Sequence, residues 1–341
     1  MADADAIVVG SGHNGLVAAY RLARAGWRVA VLERSAKVGG AIRTESVTLP
    51  GFRHDLFATN LSLFKSSLVY REHQAELEQA GLRFITCQEA FASAYPDGKS
   101  VRISTNEEQT DAEFARCSAA DRDGWRRVVS IYRRLAPHIL PFTNMTLPSR
   151  AAAGQALGML IRLRGGVIDL RDVVFASPRR FVDRFFQSDE AKGALLPWAF
   201  HLDFAPDTPG GAAFAFVSAA SAHVNGLVLA QGGADAIVSA LRKLIEAHGG
   251  AIHTQTDVSQ ILVERGRAIG VRTSSGDVVT ATRAVIANVT PPLLFGRLLP
   301  AAAVPAGVRD RAARFRYGPG VFMVHLALSR HLDWSGGDDL W

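Results

Sequence analysis

Three glycines within six positions, Gly10-Ser11-Gly12-His13-Asn14-Gly15, stand between two stretches of different period. Before them, Ala6 to Val9 is a short apolar run rich in β-branched residues. After them, apolar residues recur at helical spacing from Leu16 to Ala25 until Gly26 ends the pattern. The chain therefore reads strand, tight turn, helix. Trp27 to Leu32 is again apolar and β-branched and ends on Glu33, so residues 6 to 33 form one βαβ unit with a right-handed crossover. Such a unit commits this part of the chain to a parallel sheet and an α/β fold.

Each residue type in the turn has a physical reason to be there. Gly10 permits the tight turn, Gly12 lets backbone approach a pyrophosphate, and Gly15 allows the helix to pack closely on the strand. The unpaired N–H groups at the helix start favour phosphate charge. His13 and Asn14 can approach the phosphates, and Asn14 can equally cap the helix. Glu33, eighteen positions after Gly15, places a carboxylate where it can accept hydrogen bonds from ribose hydroxyls and repel a 2′-phosphate. These features specify a dinucleotide and leave FAD and NAD both open.

At 341 residues the chain exceeds the usual size of one hydrophobic core, and its 48% hydrophobic and 21% charged residues describe a compact globular protein. From about Leu61 to Leu227, helical stretches alternate with proline-bounded loops and show no repeat. Order returns at Gly232-Gly233-Ala234, which opens a helix to about Ala247. Short strands then follow over Ala251 to Thr254, Val258 to Glu264, Ala268 to Thr273, Val278 to Thr282 and Ala284 to Ala287, joined by glycine-bearing turns. A last apolar alternation, Val321 to Leu328, predicts a strand. The expected organisation is a nucleotide domain in two segments, 1–62 and 228–292, with an inserted lobe over 63–227 that continues through 293–341.

The net charge of +6 is dispersed over scattered arginines, so no basic tail points to nucleic acid. Cys87 and Cys117 are too far apart in sequence for a CxxC motif or a zinc cluster, which fits a reducing cytoplasmic setting and no metal. The opening Met-Ala-Asp-Ala-Asp is acidic, unlike an export signal. Thr208 to Ala234 is long and uncharged but broken by Pro209 and several glycines, so it reads as a buried segment lining a cavity. Ala151 to Ile161, followed by Arg162 and Arg164, is too short to span a bilayer but could lie on a membrane surface; helix packing is the competing reading.

After Glu33-Arg34 comes Val38-Gly39-Gly40-Ala41-Ile42-Arg43-Thr44, and a nicotinamide enzyme has no need of this double glycine. Here the sequence resembles the flavoprotein superfamily of amine oxidases and carotenoid desaturases. The strings GSGHNGLVAAYRLARAGWRVAVLERSAKVGGAIRTE and GGADAIVSALRKLIEAHGGAIHTQTDV look most like phytoene dehydrogenase-like proteins, the branch named for pyridine nucleotide-disulfide oxidoreductase domain-containing protein 2. The resemblance implies an α/β fold: a Rossmann-like FAD-binding domain of the glutathione-reductase type, parallel sheet plus β-meander, with an inserted mixed α+β substrate lobe. It implies FAD as cofactor and hydride removal from a small hydrophobic substrate. Gly10, Ser11, Gly12, His13, Asn14, Gly15, Glu33, Arg34, Gly39, Gly40 and Arg43 are the residues implied to hold the cofactor. Val258 is implied to meet adenine through its backbone, and the stretch Ala287-Asn288 marks the late crossover. Arg43 has a surface ion pair as its alternative role.

Asp55 to Asn60 matches the region where chains of this family cross towards the substrate cavity and could line the flavin face. Phe181, Phe185, Phe186, Trp198, Phe200, Phe204, Phe214 and Phe216 suggest an apolar cavity, although aromatics at such spacing often form core. His201, His223 and His325 are histidines of the inserted lobe, and no catalytic base is identified. Family members carry a second glycine-rich flavin motif near the carboxyl end that this sequence lacks, so the chain is expected to be a fragment or truncated product. A catalytically silent FAD-binding or interaction protein and an NAD-dependent dehydrogenase are the alternatives. Disulfide reductase chemistry is set aside for want of two nearby thiols.

Overall fold

A computed structural model describes residues 3–162, 173, 175–202, 204–318, 320 and 322–330. The chain divides into two compact units, the first made of Met1–Ile85 and Leu229–Ala327 and the second containing Thr86–Val228. The expected lobe therefore begins at residue 86 rather than 63, and residues 293–327 belong to the nucleotide unit rather than to the lobe. Tyr70 and Leu77 of the helix over Leu68–Gln79 are buried, and the Tyr20 hydroxyl donates to Glu76 at 2.6 Å, which ties that helix to the first unit.

The first unit is built from β1 (Ala4–Val9), α1 (His13–Arg24), β2 (Val29–Leu32), α2 (Leu68–Gln79), α3 (Ala236–Ala247), β3 (Ala251–His253), β4 (Val258–Glu264), β5 (Arg267–Thr273) and β6 (Val278–Ala287). Its sheet has the spatial order β4-β5-β6-β1-β2-β3. β1 and β2 are buried almost throughout, as expected of parallel strands covered on both faces. The two strands predicted over Val278 to Ala287 are one. Val278 to Thr280 pair antiparallel with β5, and from Ala281 onward the same strand runs parallel to β1.

Register decides where the chemistry sits. Val9 pairs with Leu32 on one side and with Ala287 on the other, and Leu32 pairs with His253. The ladder then runs one step further, with Gly10 N–H donating to Leu32 O at 2.9 Å, Glu33 N–H to His253 O at 2.8 Å and Asn288 N–H to Val9 O at 2.8 Å. The carboxyl ends of four parallel strands are thus flush, which is where open α/β sheets bind ligands.

The second unit is mainly helical, with one hairpin pairing Glu89–Ala94 with Ser100–Ser104. Ser118, Ser177 and Ser188 each cap a helix by accepting a backbone N–H. Phe114 and Trp125 stack at 4.8 Å within its core. Phe181, Phe185, Phe186 and Phe216 are also buried there and form packed core, whereas Trp198, Phe204 and Phe214 are half-buried and Phe200 is exposed. The uncharged run from Thr208 contains the helix Ala212–Asn225, which buries Ala215, Phe216, Ala219 and Ala220 in that core. Ala151 to Ile161 falls within the helix Arg150–Arg162. Among the described residues no helix is long and apolar enough to cross a membrane.

The strand predicted over Val321 to Leu328 does not form: Val321 lies outside the described residues, and 322–328 pair with no strand. Phe322 is 90% exposed, so the alternation there has no sheet beneath it to fold against.

Candidate dinucleotide site

A cleft of about 540 Å³ lies over the flush strand ends of the first unit. Its lining includes Gly10, Ser11, Gly12, Glu33, Arg34, Gly40, Arg43 and Val258 among the residues predicted from sequence. His13, Asn14, Gly15, Gly39 and Ala287 are not part of that lining.

Gly10 adopts φ +93°, a conformation side chains avoid, and a Cβ there would meet Asn288 O at 2.7 Å. Gly12 caps α1 without any side-chain cap hydrogen bond. Asn14 is exposed and does not cap the helix. His13 is half-buried, and burial pushes its imidazole below the ordinary value. A Cβ on Gly15 would meet Gly10 O at 2.5 Å, so this glycine lets α1 pack against the turn.

The double glycine folds back onto the first turn. Gly12 and Gly39 form an isolated parallel bridge, and Gly39 N–H donates to Ser11 O at 3.1 Å. A Cβ on Gly40 would lie 3.1 Å from Gly12 Cα. Gly39 is thus the packing residue of the pair and Gly40 the one lining the cleft. Arg43 also lines the cleft, and it is paired with Glu45, its Nε donating to Oε1 at 2.7 Å.

Glu33 is only 8% exposed, and its carboxylate is held firmly. Oε2 accepts from Ser11 N–H at 2.9 Å and Ser11 Oγ at 2.7 Å, and Oε1 accepts from Ser35 N–H at 2.8 Å. Burial pushes its carboxyl up, but the bonds from Ser11 and Ser35 pull harder and leave it below the ordinary carboxylate range. A carboxylate has about four acceptor positions, so three donors leave capacity for a ribose hydroxyl. The segment Thr256 to Val258 lies beside it, Thr256 N–H donating to Glu33 O at 2.8 Å.

Of the predicted crossover Ala287-Asn288, it is Asn288 that lines the cleft. The Asn288 amide Nδ2 lies 3.4 Å from both Gly10 O and Gly12 O, tying the end of β6 to the glycine turn across 278 and 276 positions of sequence. The available signal was a polar residue directly after the apolar strand. Ser35, Phe57, Thr256, Thr290 and Arg297 also line the cleft and were not singled out as site residues; Phe57 falls in the Asp55 to Asn60 segment expected near the flavin.

The histidines gather at no common site. His223 is buried and its Nδ1 donates to Ser104 O at 2.6 Å, while His201 stacks on Phe214. His325 belongs to the first unit, its ring 5.2 Å from that of His54, because the chain beyond Leu229 packs there. Cys87 and Cys117 are free thiols. Among the described residues no cluster of His, Cys, Asp or Glu can hold a metal ion.

The glycine cradle and the anchored carboxylate, brought together in one cleft, fit a dinucleotide. The family described as flavin containing amine oxidoreductase matches residues 15–339. The chain is 28% identical to pyridine nucleotide-disulfide oxidoreductase domain-containing protein 2 of Rattus norvegicus, over 96% of this chain and 60% of that protein. It is 29% identical to a neurosporene-forming phytoene desaturase of Cereibacter sphaeroides, over 87% of this chain and 55% of that one. It thus spans about 60% or less of these relatives' lengths. Among solved structures, an oxidoreductase from Methanosarcina mazei shares the fold with a TM-score of 0.57 at 19% identity, covering 91% of this chain and 64% of that one. A flavin-containing family and a cleft lined by the glycine turn and Glu33 together specify the flavin dinucleotide: the chain belongs to the flavin containing amine oxidoreductase family, and its cofactor is FAD.

Proposed function

We propose that this chain serves an FAD-dependent oxidoreductase that removes hydride from a carbon of an apolar substrate. The observation that carries the reading is the pairing of the double-glycine loop with the first glycine turn through the Gly12–Gly39 bridge, within one cleft that also holds Glu33 and Asn288. Bound FAD supplies the hydride acceptor in such enzymes. The chain's own residues do the holding. The start of α1 would hold the pyrophosphate, Glu33 would accept from the adenosine ribose, and Asn288 ties the turn to the end of β6. Similarity to a phytoene desaturase supports an apolar, polyene-like substrate over a small amine.

Two measurements test this reading. Titration of the purified chain with FAD should saturate at one equivalent, and anaerobic addition of an apolar polyene should bleach the flavin absorbance. Bleaching by an amine alone would move the substrate class to amines. Binding without bleaching by either probe would support a silent FAD-holding role. NADH binding with no binding of FAD would reject the reading. A membrane as the route of substrate supply belongs to the same proposal: Leu157, on the helix Arg150–Arg162, is 60% exposed. Flotation of the protein with anionic liposomes tests that contact, and absence from the floated fraction rejects it.

A further inference from the structure

Beyond Asn288 the chain makes a five-residue π-turn, Leu294–Leu298, closed by Leu299 N–H donating to Leu294 O at 3.0 Å. π-Turns are rare and concentrate at functional sites. This one separates two neighbours sharply. Leu298 is 1% exposed in the sheet core beside Val258, whereas the Arg297 side chain is 57% exposed and lines the dinucleotide cleft.

Across the cleft wall from Arg297 stands Asp257, next to Val258. Arg297 Nη2 is 3.6 Å from Asp257 Oδ2. Asp257 is itself anchored, accepting from Ser274 N–H through its backbone at 2.8 Å and from Ser274 Oγ through Oδ2 at 2.7 Å. An exposed pair at this distance contributes little to folding stability. Its position is more telling, because Thr256 ties this segment to Glu33 at the ribose end, and Asp257 would place an uncompensated negative charge in a cleft meant for a pyrophosphate.

We propose that Arg297 is the adenine-recognising residue of this chain: its guanidinium, steered by Asp257, supplies a planar polar surface beside the apolar Val258 and Leu298 in the cleft lining. The inference rests on the FAD reading given above. A planar guanidinium stacks on a purine face in a way that a lysine ammonium cannot reproduce, so the role is specific to arginine and to the adenosine half of the cofactor.

The test is flavin-fluorescence titration of the full chain with FAD and, separately, with FMN, which lacks adenosine. Arg297→Ala should weaken FAD binding about tenfold, Arg297→Lys should weaken it nearly as much, and FMN binding should be unchanged in both. Thermal unfolding of the unliganded variants should match the wild type. In an Arg297→Ala/Asp257→Asn double variant, part of the lost FAD affinity should return as the unpaired carboxylate is removed. Full rescue by lysine would reduce Arg297 to a point charge for phosphate and overturn the proposal. So would equal loss of FMN and FAD affinity, or an Arg297→Ala variant that binds FAD like the wild type. If the wild type itself fails to bind FAD, the cofactor reading fails instead.

Discussion

Replacing Gly15 with alanine sets two opposing effects against each other. In an open helix the change stabilises by about 1 kcal/mol, because glycine loses more backbone freedom on folding. At Gly15 the new Cβ would stand 2.5 Å from Gly10 O, 2.8 Å from Asn288 Nδ2 and 3.1 Å from Asn288 Cβ. The nearest of these atoms is backbone in a turn that Gly10 already holds at φ +93°, so it cannot swing aside as a flexible side chain would. Overpacking of this kind costs about 1–3 kcal/mol, and the upper part of that range applies where backbone must move. The net expectation is a loss of about 1–2 kcal/mol, a fall in Tm of several degrees for a domain of this size. FAD affinity should fall with it, since Asn288 must leave the turn. Gly154→Ala is the control: that glycine is exposed in the helix Arg150–Arg162, with no atom within 4 Å of an added Cβ, and the change should stabilise by about 1 kcal/mol. Differential scanning calorimetry and FAD titration of both variants decide the matter. If Gly15→Ala stabilises as Gly154→Ala does and binds FAD normally, the close approach of α1 to the turn is refuted.

Glu33→Gln puts an amide N–H₂ where only donors point, so it should lose about 1.5–3 kcal/mol, read as a lower urea midpoint and a tenfold or greater loss of FAD affinity. Because the Glu33 carboxyl is depressed in the folded state, its stabilisation is present above the unfolded value of about 4.3 and is lost as pH falls through the depressed value. Urea midpoints between pH 3 and 6 should therefore fall less steeply in Glu33→Gln than in the wild type. Asn288→Leu removes the amide that bridges Gly10 O and Gly12 O and should cost roughly 1 kcal/mol of FAD binding, measured by calorimetric titration. In the second unit, Asp121 is fully buried and accepts from Gln187 N–H at 2.6 Å and Ser118 Oγ at 2.7 Å. Asp121→Ala leaves those donors unsatisfied and should destabilise that unit by about 3 kcal/mol in chemical denaturation.

The βαβ unit and the meander turns were legible because their signals are local. Glycine spacing, β-branched runs and Glu33 at a strand end all act within a few residues of themselves. Val258 to Glu264 was readable to the residue for the same reason. What escaped was set by partners far away in sequence. The continuity of β6 depends on a change of neighbour from β5 to β1 that no local pattern records. Ala287-Asn288 was legible as the strand end, but that the Asn288 amide meets carbonyls of the amino-terminal turn was not. The alternation after Val321 looked like a strand because period alone cannot say whether a neighbouring strand exists. The aromatics of the second unit were ambiguous for a related reason, since core and cavity wall differ only in what lies on the far side.

β6 also sets an order of events for a chain emerging from the ribosome. Residues 4–32 can form a strand, a helix and a strand early, but β1 has one flank unpaired until residues 281–287 arrive beside it. Contacts separated by more than 250 residues close late and slow the folding of the whole sheet. The nucleotide cradle is therefore among the last features of the first unit to be completed, although its glycines are among the first residues made. A cofactor that binds only the completed cradle would draw the equilibrium towards the paired state by mass action. Cells starved of flavin should then accumulate this protein with its amino-terminal strand still open to proteases.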